Sequence, residues 1–189
     1  ATVQKIAIIT AGGSGSRMGS PIPKQFLLLN QKPLLWYTIS AFLEAFRDIS
    51  IILVLPQDYM TAGAELVNEL QITNQTTLVV GGSTRYHSVQ NGIQQIKNHS
   101  VVFVHDGVRC LVTPNLIKRC FEQTIEKGSA IPAVTCTDSV RILNNDSYKA
   151  INRDQVKIIQ TPLTFLSSIL IPAFNQPYQE FFTDEATVV

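Results

Sequence analysis

The sequence predicts an α/β fold, a mostly parallel sheet covered by helices on both faces. Three observations carry the prediction. Near-continuous apolar runs rich in β-branched residues recur at 5–10, 50–55, 76–80 and 101–105, as strands buried on both faces require. The stretches between them are long enough for crossover helices. The 189 residues, 45% hydrophobic and 15% charged, suit one domain with a sizeable core and lie outside the composition of disordered chains.

The first strand, 5–10, runs into a glycine-rich stretch, after which Pro33 before Leu34-Leu35-Trp36 opens a helix. The second strand, 50–55, leads to a helix over 58–70 that carries Gly63, a residue about 1 kcal/mol less favourable than alanine inside a helix. The third strand, 76–80, leads to a helix over 84–97 with Ser83 as its cap. The fourth, 101–105, leads to Thr113-Pro114, which opens a helix over 115–127. After Gly128 strands are expected at 129–135, 139–143, 148–151 and 156–160, around an Asn144-Asn145-Asp146 turn, as a hairpin excursion from the sheet. Thr161-Pro162 then reads as the start of a helix to about 174, and Thr183-Asp184-Glu185 as the start of another. No internal repeat, low-complexity segment or linker interrupts the chain.

A net charge of +1 offers no broad attraction to nucleic acid or to anionic membranes, so a bound anion must be met by locally placed groups. A small ligand is expected. Cys110, Cys120 and Cys136 form an odd, widely spaced set without a CxxC pair, which fits a reducing compartment. No apolar run approaches the roughly 18 residues of a membrane span, and the start of the chain lacks the pattern of a signal peptide. A cytoplasmic protein is expected.

In an open parallel sheet, ligands bind beyond the carboxyl ends of the strands. Three loops with unusual polar content fall there: Ala11-Gly12-Gly13-Ser14-Gly15-Ser16-Arg17-Met18-Gly19, Gly81-Gly82-Ser83-Thr84-Arg85 and His105-Asp106-Gly107-Val108-Arg109. The first offers closely spaced backbone N–H groups suited to phosphate oxygens, although a tight turn would account for the glycines alone. Arg17 and Lys24 add two cations. The stretch is not a Walker A loop, because no Gly-Lys-Ser/Thr follows at the required spacing, and it fails the dinucleotide fingerprint, which needs glycine where Met18 stands.

The stretch from Ala11 to Met18, followed by Pro23-Lys24-Gln25-Phe26, resembles the nucleotide-binding signature of sugar-phosphate and alditol-phosphate nucleotidyltransferases. Arg85-Tyr86-His87-Ser88-Val89, His105-Asp106-Gly107-Val108-Arg109, Asp138-Ser139-Val140, Asn152-Arg153-Asp154, Gln160-Thr161-Pro162 and Thr183-Asp184-Glu185-Ala186 follow in order. Together they resemble the 2-C-methyl-D-erythritol 4-phosphate cytidylyltransferase family over essentially the whole chain, with ribitol-5-phosphate cytidylyltransferase as the neighbouring alternative. The resemblance implies a single Rossmann-like, three-layer nucleotidyltransferase domain over 1–189 with a protruding β-hairpin arm at about 136–158. It also implies that the family's usual last strand and helix are missing after 189. The implied reaction joins CTP to a phosphorylated alditol, releases pyrophosphate and uses Mg²⁺.

By the same resemblance, Arg17, Lys24 and Arg153 are the expected catalytic cations, and Ala11, Gly12, Gly13, Ser14, Gly15, Gly81, Gly82, Arg85 and Ser88 meet the nucleotide. Asp106, Arg109, Ser139 and Thr161 are expected on the acceptor, with Asp106 also as the metal carboxylate. The arm implies a homodimer. Structural roles stand beside these: Asp106 as a helix cap or partner of Arg109, Ser139 on a strand surface, Thr161 as a helix cap, and His105 packed beside the site. Cys110 stands where the family usually has proline. A rival class is a catalytically impaired nucleotide-binding module; a dinucleotide-dependent oxidoreductase is disfavoured by the failed fingerprint.

Overall fold

The structure is a computed structural model that describes residues 3–11 and 22–189. The expectations placed on Gly12, Gly13, Ser14, Gly15 and Arg17 lie outside the described residues. Strand β1 spans Gln4–Thr10, and a small hairpin of β2 (Leu28–Leu29) and β3 (Lys32–Pro33) follows. Next come α1 (Leu34–Ala45), β4 (Ser50–Leu55), α2 (Met60–Glu69), β5 (Thr76–Val80), α3 (Arg85–Ile93), β6 (Ser100–Asp106) and α4 (Pro114–Lys127). Strands β7 (Ser129–Ala130), β8 (Ala133–Thr135), β9 (Val140–Asn144), β10 (Ser147–Ile151), β11 (Lys157–Ile159) and β12 (Leu163–Leu166) precede α5 (Ser167–Ala173).

Six strands form the main sheet in the order β5-β4-β1-β6-β12-β7. The first four are parallel, and β12 runs antiparallel to both β6 and β7. Alternation along each strand divides the apolar runs between two cores. Ala7, Ile9, Ile51, Leu53, Val101 and Phe103 point to the face covered by Leu35, Ile39 and Phe42 of α1, Leu66 and Val67 of α2 and Ile117 of α4. Ile6, Ile8, Ile52, Val54, Val102 and Val104 point to the face covered by Tyr86, Val89 and Ile93 of α3 and Leu170 of α5. This double burial is why the strands read as unbroken apolar runs rather than as alternating ones. Gly63 is explained by close approach, since a Cβ there would sit 2.2 Å from Leu55 Cδ1.

Several boundaries differ from the sequence reading. The cap of α3 is Thr84, not Ser83: its hydroxyl accepts the His87 N–H at 3.3 Å. That helix ends at Ile93 instead of 97, where Gln95 N–H and Ile96 N–H turn back to the carbonyls three residues before them. The expected strand 129–135 is two strands: β7 joins the main sheet, and β8, after Pro132, pairs with β11. Thr161-Pro162 opens β12 rather than a helix, because the residues that follow pair with the otherwise open edge of β6. The helix that does form, α5, starts later, at Ser167. In the arm, β9 and β10 pair antiparallel with left-handed Asn145 (φ 52°) at the turn.

Candidate active site

The sheet fixes the first residue of each of the three polar loops. Ala11 N–H donates to the Val54 carbonyl, Gly81 N–H to the Leu55 carbonyl and Gly107 N–H to the Thr10 carbonyl, each at 2.8 Å. Three loops therefore leave one edge from positions set by strand pairing rather than by side-chain packing.

Lys24 stands half-buried at the start of a short 3-10 turn. Among the described residues it makes no ion pair, which leaves its charge available to an incoming anion. Its neighbour Gln25 is buried, 2% exposed, and the Gln25 side-chain amide donates to the Ala11 carbonyl. Lys24 is thus tethered to the start of the glycine-rich stretch through the residue beside it.

At the second loop, Gly82 N–H donates to Ser88 Oγ at 3.0 Å. A Cβ on Gly82 would lie 2.4 Å from His87 Cβ, and one on Gly81 would lie 3.1 Å from Ser88 Oγ. The two glycines are required because α3 packs directly against the loop. Ser88, itself buried, holds the loop in place and keeps its own hydroxyl proton to donate.

The third loop carries a charged cluster centred on Asp106. Arg85 donates to Asp106 Oδ1 from Nε at 3.1 Å and from Nη2 at 3.0 Å. Arg109 donates to Asp106 Oδ2 from Nε at 2.9 Å, and its Nη1 reaches Gln160 Oε1 at 3.2 Å. The remaining Arg85 donor, Nη1, pairs with Glu185. Burial works against the Asp106 charge, but the Arg85 and Arg109 guanidiniums prevail and hold its carboxyl below the usual range. Burial likewise opposes the Arg85 charge, and Glu185 and Asp106 more than offset it. Arg85, expected on the nucleotide, thus has its guanidinium engaged by two carboxylates. Asp106 is the partner of Arg109 that the sequence left open.

His105 lies beneath this cluster, fully buried against Phe42. Its Nε2 faces only the Arg109 carbonyl, at 3.0 Å, so that nitrogen carries the proton and donates. Nδ1 then accepts from the Thr161 hydroxyl at 2.8 Å. Desolvation lowers the imidazole pKa to about 4, so the ring is neutral. Thr161, expected on the acceptor, sits buried with its hydroxyl proton directed at His105, where it fixes the ring that supports the backbone of Arg109.

Arg153 and Ser139 are elsewhere. Arg153 Nη1 donates to the Thr137 carbonyl at 2.8 Å, inside the arm, and Ser139 is exposed two residues further on. Neither joins the Asp106 cluster. The arm also presents Ile142, Leu143 and Tyr148 at 55%, 60% and 68% exposure.

Among the described residues, no group of three or more His, Cys, Asp or Glu side chains could hold a metal ion. Both Asp106 oxygens face guanidiniums, whose positive charges oppose a divalent cation at the carboxylate assigned to metal. These donors do not fit a resident Mg²⁺ site.

Sequence reading did not single out Gln25, Gln160 or Glu185 individually. Each lies inside a motif it noted, but a contact between segments 14 to 100 residues apart leaves no local pattern.

A family model described as 2-C-methyl-D-erythritol 4-phosphate cytidylyltransferase matches residues 5–189. A protein of that name from Azobacteroides pseudotrichonymphae genomovar. CFP2 is 42% identical over 186 residues, 98% of this chain and 84% of its own length. One from Bacteroides fragilis is 39% identical over 185 residues, again covering 98% and 84%. Among solved structures, a 4-diphosphocytidyl-2C-methyl-D-erythritol synthase from Anaerococcus prevotii superimposes with a TM-score of 0.84 at 24% identity over 98% of this chain and 82% of that one, a likeness of fold. A 2-C-methyl-D-erythritol 4-phosphate cytidylyltransferase from Francisella tularensis reaches a TM-score of 0.76 at 29% identity, covering 98% and 84%.

Proposed function

This chain belongs to the 2-C-methyl-D-erythritol 4-phosphate cytidylyltransferase family, and we propose from that membership how its residues divide the reaction between them. The reaction is transfer of CMP from CTP to 2-C-methyl-D-erythritol 4-phosphate with release of pyrophosphate, in isoprenoid precursor synthesis. The acceptor's phosphate attacks the α-phosphorus of CTP and pyrophosphate departs in line. A phosphate monoester with a second pKa near 6 is already largely dianionic at neutral pH, so no general base is needed. What remains is positioning and charge neutralisation.

Lys24 and Arg17 stabilise the charge that builds on the phosphates, and backbone amides of residues 11–15 cradle the triphosphate. Gly81, Gly82 and Ser88 present backbone and hydroxyl groups to the cytosine edge. Asp106 accepts hydrogen bonds from the polyol, and Arg109 faces the acceptor's anionic end. Arg153 and Ser139 reach the acceptor from the arm of a second copy in a homodimer, a reading supported by the apolar residues exposed on that arm. Mg²⁺ enters carried by the triphosphate, bound mainly to phosphate oxygens and water as this ion prefers, and lowers the charge the nucleophile meets. The three free cysteines suit a cytoplasmic setting.

The observation that carries the assignment is the Asp106 cluster at the mouth of three loops fixed by the sheet. A pyrophosphate-release assay crossing the four common nucleoside triphosphates with methylerythritol phosphate and ribitol phosphate tests it. Turnover with CTP and methylerythritol phosphate is expected. Turnover with ribitol phosphate alone would move the acceptor assignment, and nucleotide binding without turnover would favour an inert module.

A further inference from the structure

Arg85 bridges two carboxylates on segments far apart in the chain, Asp106 at the end of β6 and Glu185 near the last described residue. Glu185 is 1% exposed, and among the described residues its Oε2 has no hydrogen-bond partner. A buried acceptor left unpaired is destabilising, so one side of this carboxylate is held against the preference of the fold while the other pairs with Arg85. The short turn that carries it, Glu185–Thr187, is held firmly. The Asp184 side chain accepts the Thr187 N–H at 3.0 Å, the Thr187 hydroxyl donates to the Asp184 carbonyl at 2.7 Å, and Gln176 Nε2 donates to the Val188 carbonyl at 2.8 Å.

Charge supplies the reason. Arg85 and Arg109 bring two positive charges to the single negative charge of Asp106. Glu185 balances the second guanidinium and fixes its plane from behind, so that Nε and Nη2 meet Asp106 Oδ1 side by side. Without it, Arg85 would be free to turn and would neutralise Asp106 more completely.

We propose that Glu185 is a positioning residue, acting through Arg85 to hold Asp106 in the geometry and charge state that receives the acceptor's hydroxyl groups. The inference rests on the reading of Asp106 as an acceptor-side group.

Steady-state kinetics on Glu185→Gln, Asp106→Asn and the double variant test it, with each substrate varied against saturating amounts of the other. Glu185→Gln is isosteric and removes the charge. It is expected to raise KM for methylerythritol phosphate about tenfold, the low end of what loss of an orienting partner costs, while kcat and KM for CTP stay within about twofold. In the Asp106→Asn background the same change is expected to add less than about twofold, because groups acting through one another are not additive. An unchanged acceptor KM in Glu185→Gln, with a raised one in Asp106→Asn, overturns the role of Glu185. An unchanged acceptor KM in Asp106→Asn overturns the reading beneath it, and equal effects of Glu185→Gln in both backgrounds show a structural role only. Should Glu185→Gln fail to fold, as judged by its thermal melt, Glu185→Asp, which keeps the charge but shortens its reach to Arg85, takes its place in the same cycle with the same expectations.

Discussion

At the carboxyl edge of β1, β5 and β6 the residue that follows each strand is hydrogen-bonded to a neighbouring strand, and β1 and β6 run through the buried core. In the arm, β9 and β10 pair with each other, and Ile142, Leu143 and Tyr148 face outward. A two-stranded hairpin is marginal by itself in water, whereas the sheet edge is held by the core of the whole domain. The difference separates the groups held by the core of the domain from those carried on an exposed hairpin. Lys24, Asp106 and Arg109 belong to the first kind, and Arg153 and Ser139, which the proposed function places in a second copy's site, to the second.

The largest effect is expected at the sheet edge. Lys24→Ala removes a cation without disturbing any ion pair among the described residues and should lower turnover by about 100 to 1,000-fold, with an unchanged thermal midpoint. Pyrophosphate release near the parent rate would remove Lys24 from the phosphate site.

A second test asks whether the edge is as rigid as its hydrogen bonds imply. In the unfolded chain His105 takes a proton near its ordinary pKa of 6.5, and in the folded chain only at about 4. Between those values the unfolded state binds more protons, so stability is full above pH 6.5 and is lost as pH falls through the window. The ring is surrounded by Asp106, which favours its charge, and by Arg109 and Arg85, which oppose it. The loss should amount to roughly 3 kcal/mol. Urea denaturation between pH 7 and pH 4 measures it, and His105→Gln should flatten the dependence; an equally steep one in the variant would contradict the assignment.

The arm should give a smaller effect of another kind. Arg153→Ala is expected to lower kcat/KM for the acceptor by about 10 to 100-fold, the range for losing a charge-assisted hydrogen bond of about 1.5–3 kcal/mol. The thermal midpoint should barely move, since Arg153 donates within the arm and, among the described residues, to nothing in the domain core. A loss confined to the CTP side would place Arg153 with the wrong half of the site.

The four parallel strands and the crossover helices were legible in sequence because burial on both faces leaves continuous apolar runs. The arm was legible through its turn residues and the shift to short strands after Gly128. Strand β12 was not: Thr-Pro is a common helix opening, and four residues, three of them apolar, carry too little periodicity to tell strand from helix. The β2–β3 hairpin, with two residues in each strand and left-handed Asn30 and Gln31 at its turn, was too short to register. Within the site, Asp106 and Arg109 stood out as loop residues at a strand end. The direction of the Arg85 side chain did not, because Glu185 meets it from 100 residues away. Thr161 was recognised by its motif, yet its work beneath the site depends on the buried imidazole of His105, a partner that becomes its neighbour only in the folded sheet.

The central claim is that the sheet edge of one copy and the arm of another make one site. Mixing Lys24→Ala and Arg153→Ala chains, each impaired alone, under conditions that allow dimers to exchange tests it most directly. Equal mixing gives mixed dimers as half the population, each with one intact site of two, so pyrophosphate release should recover to about a quarter of the parent rate. A rate no higher than the average of the two variants measured alone would contradict it.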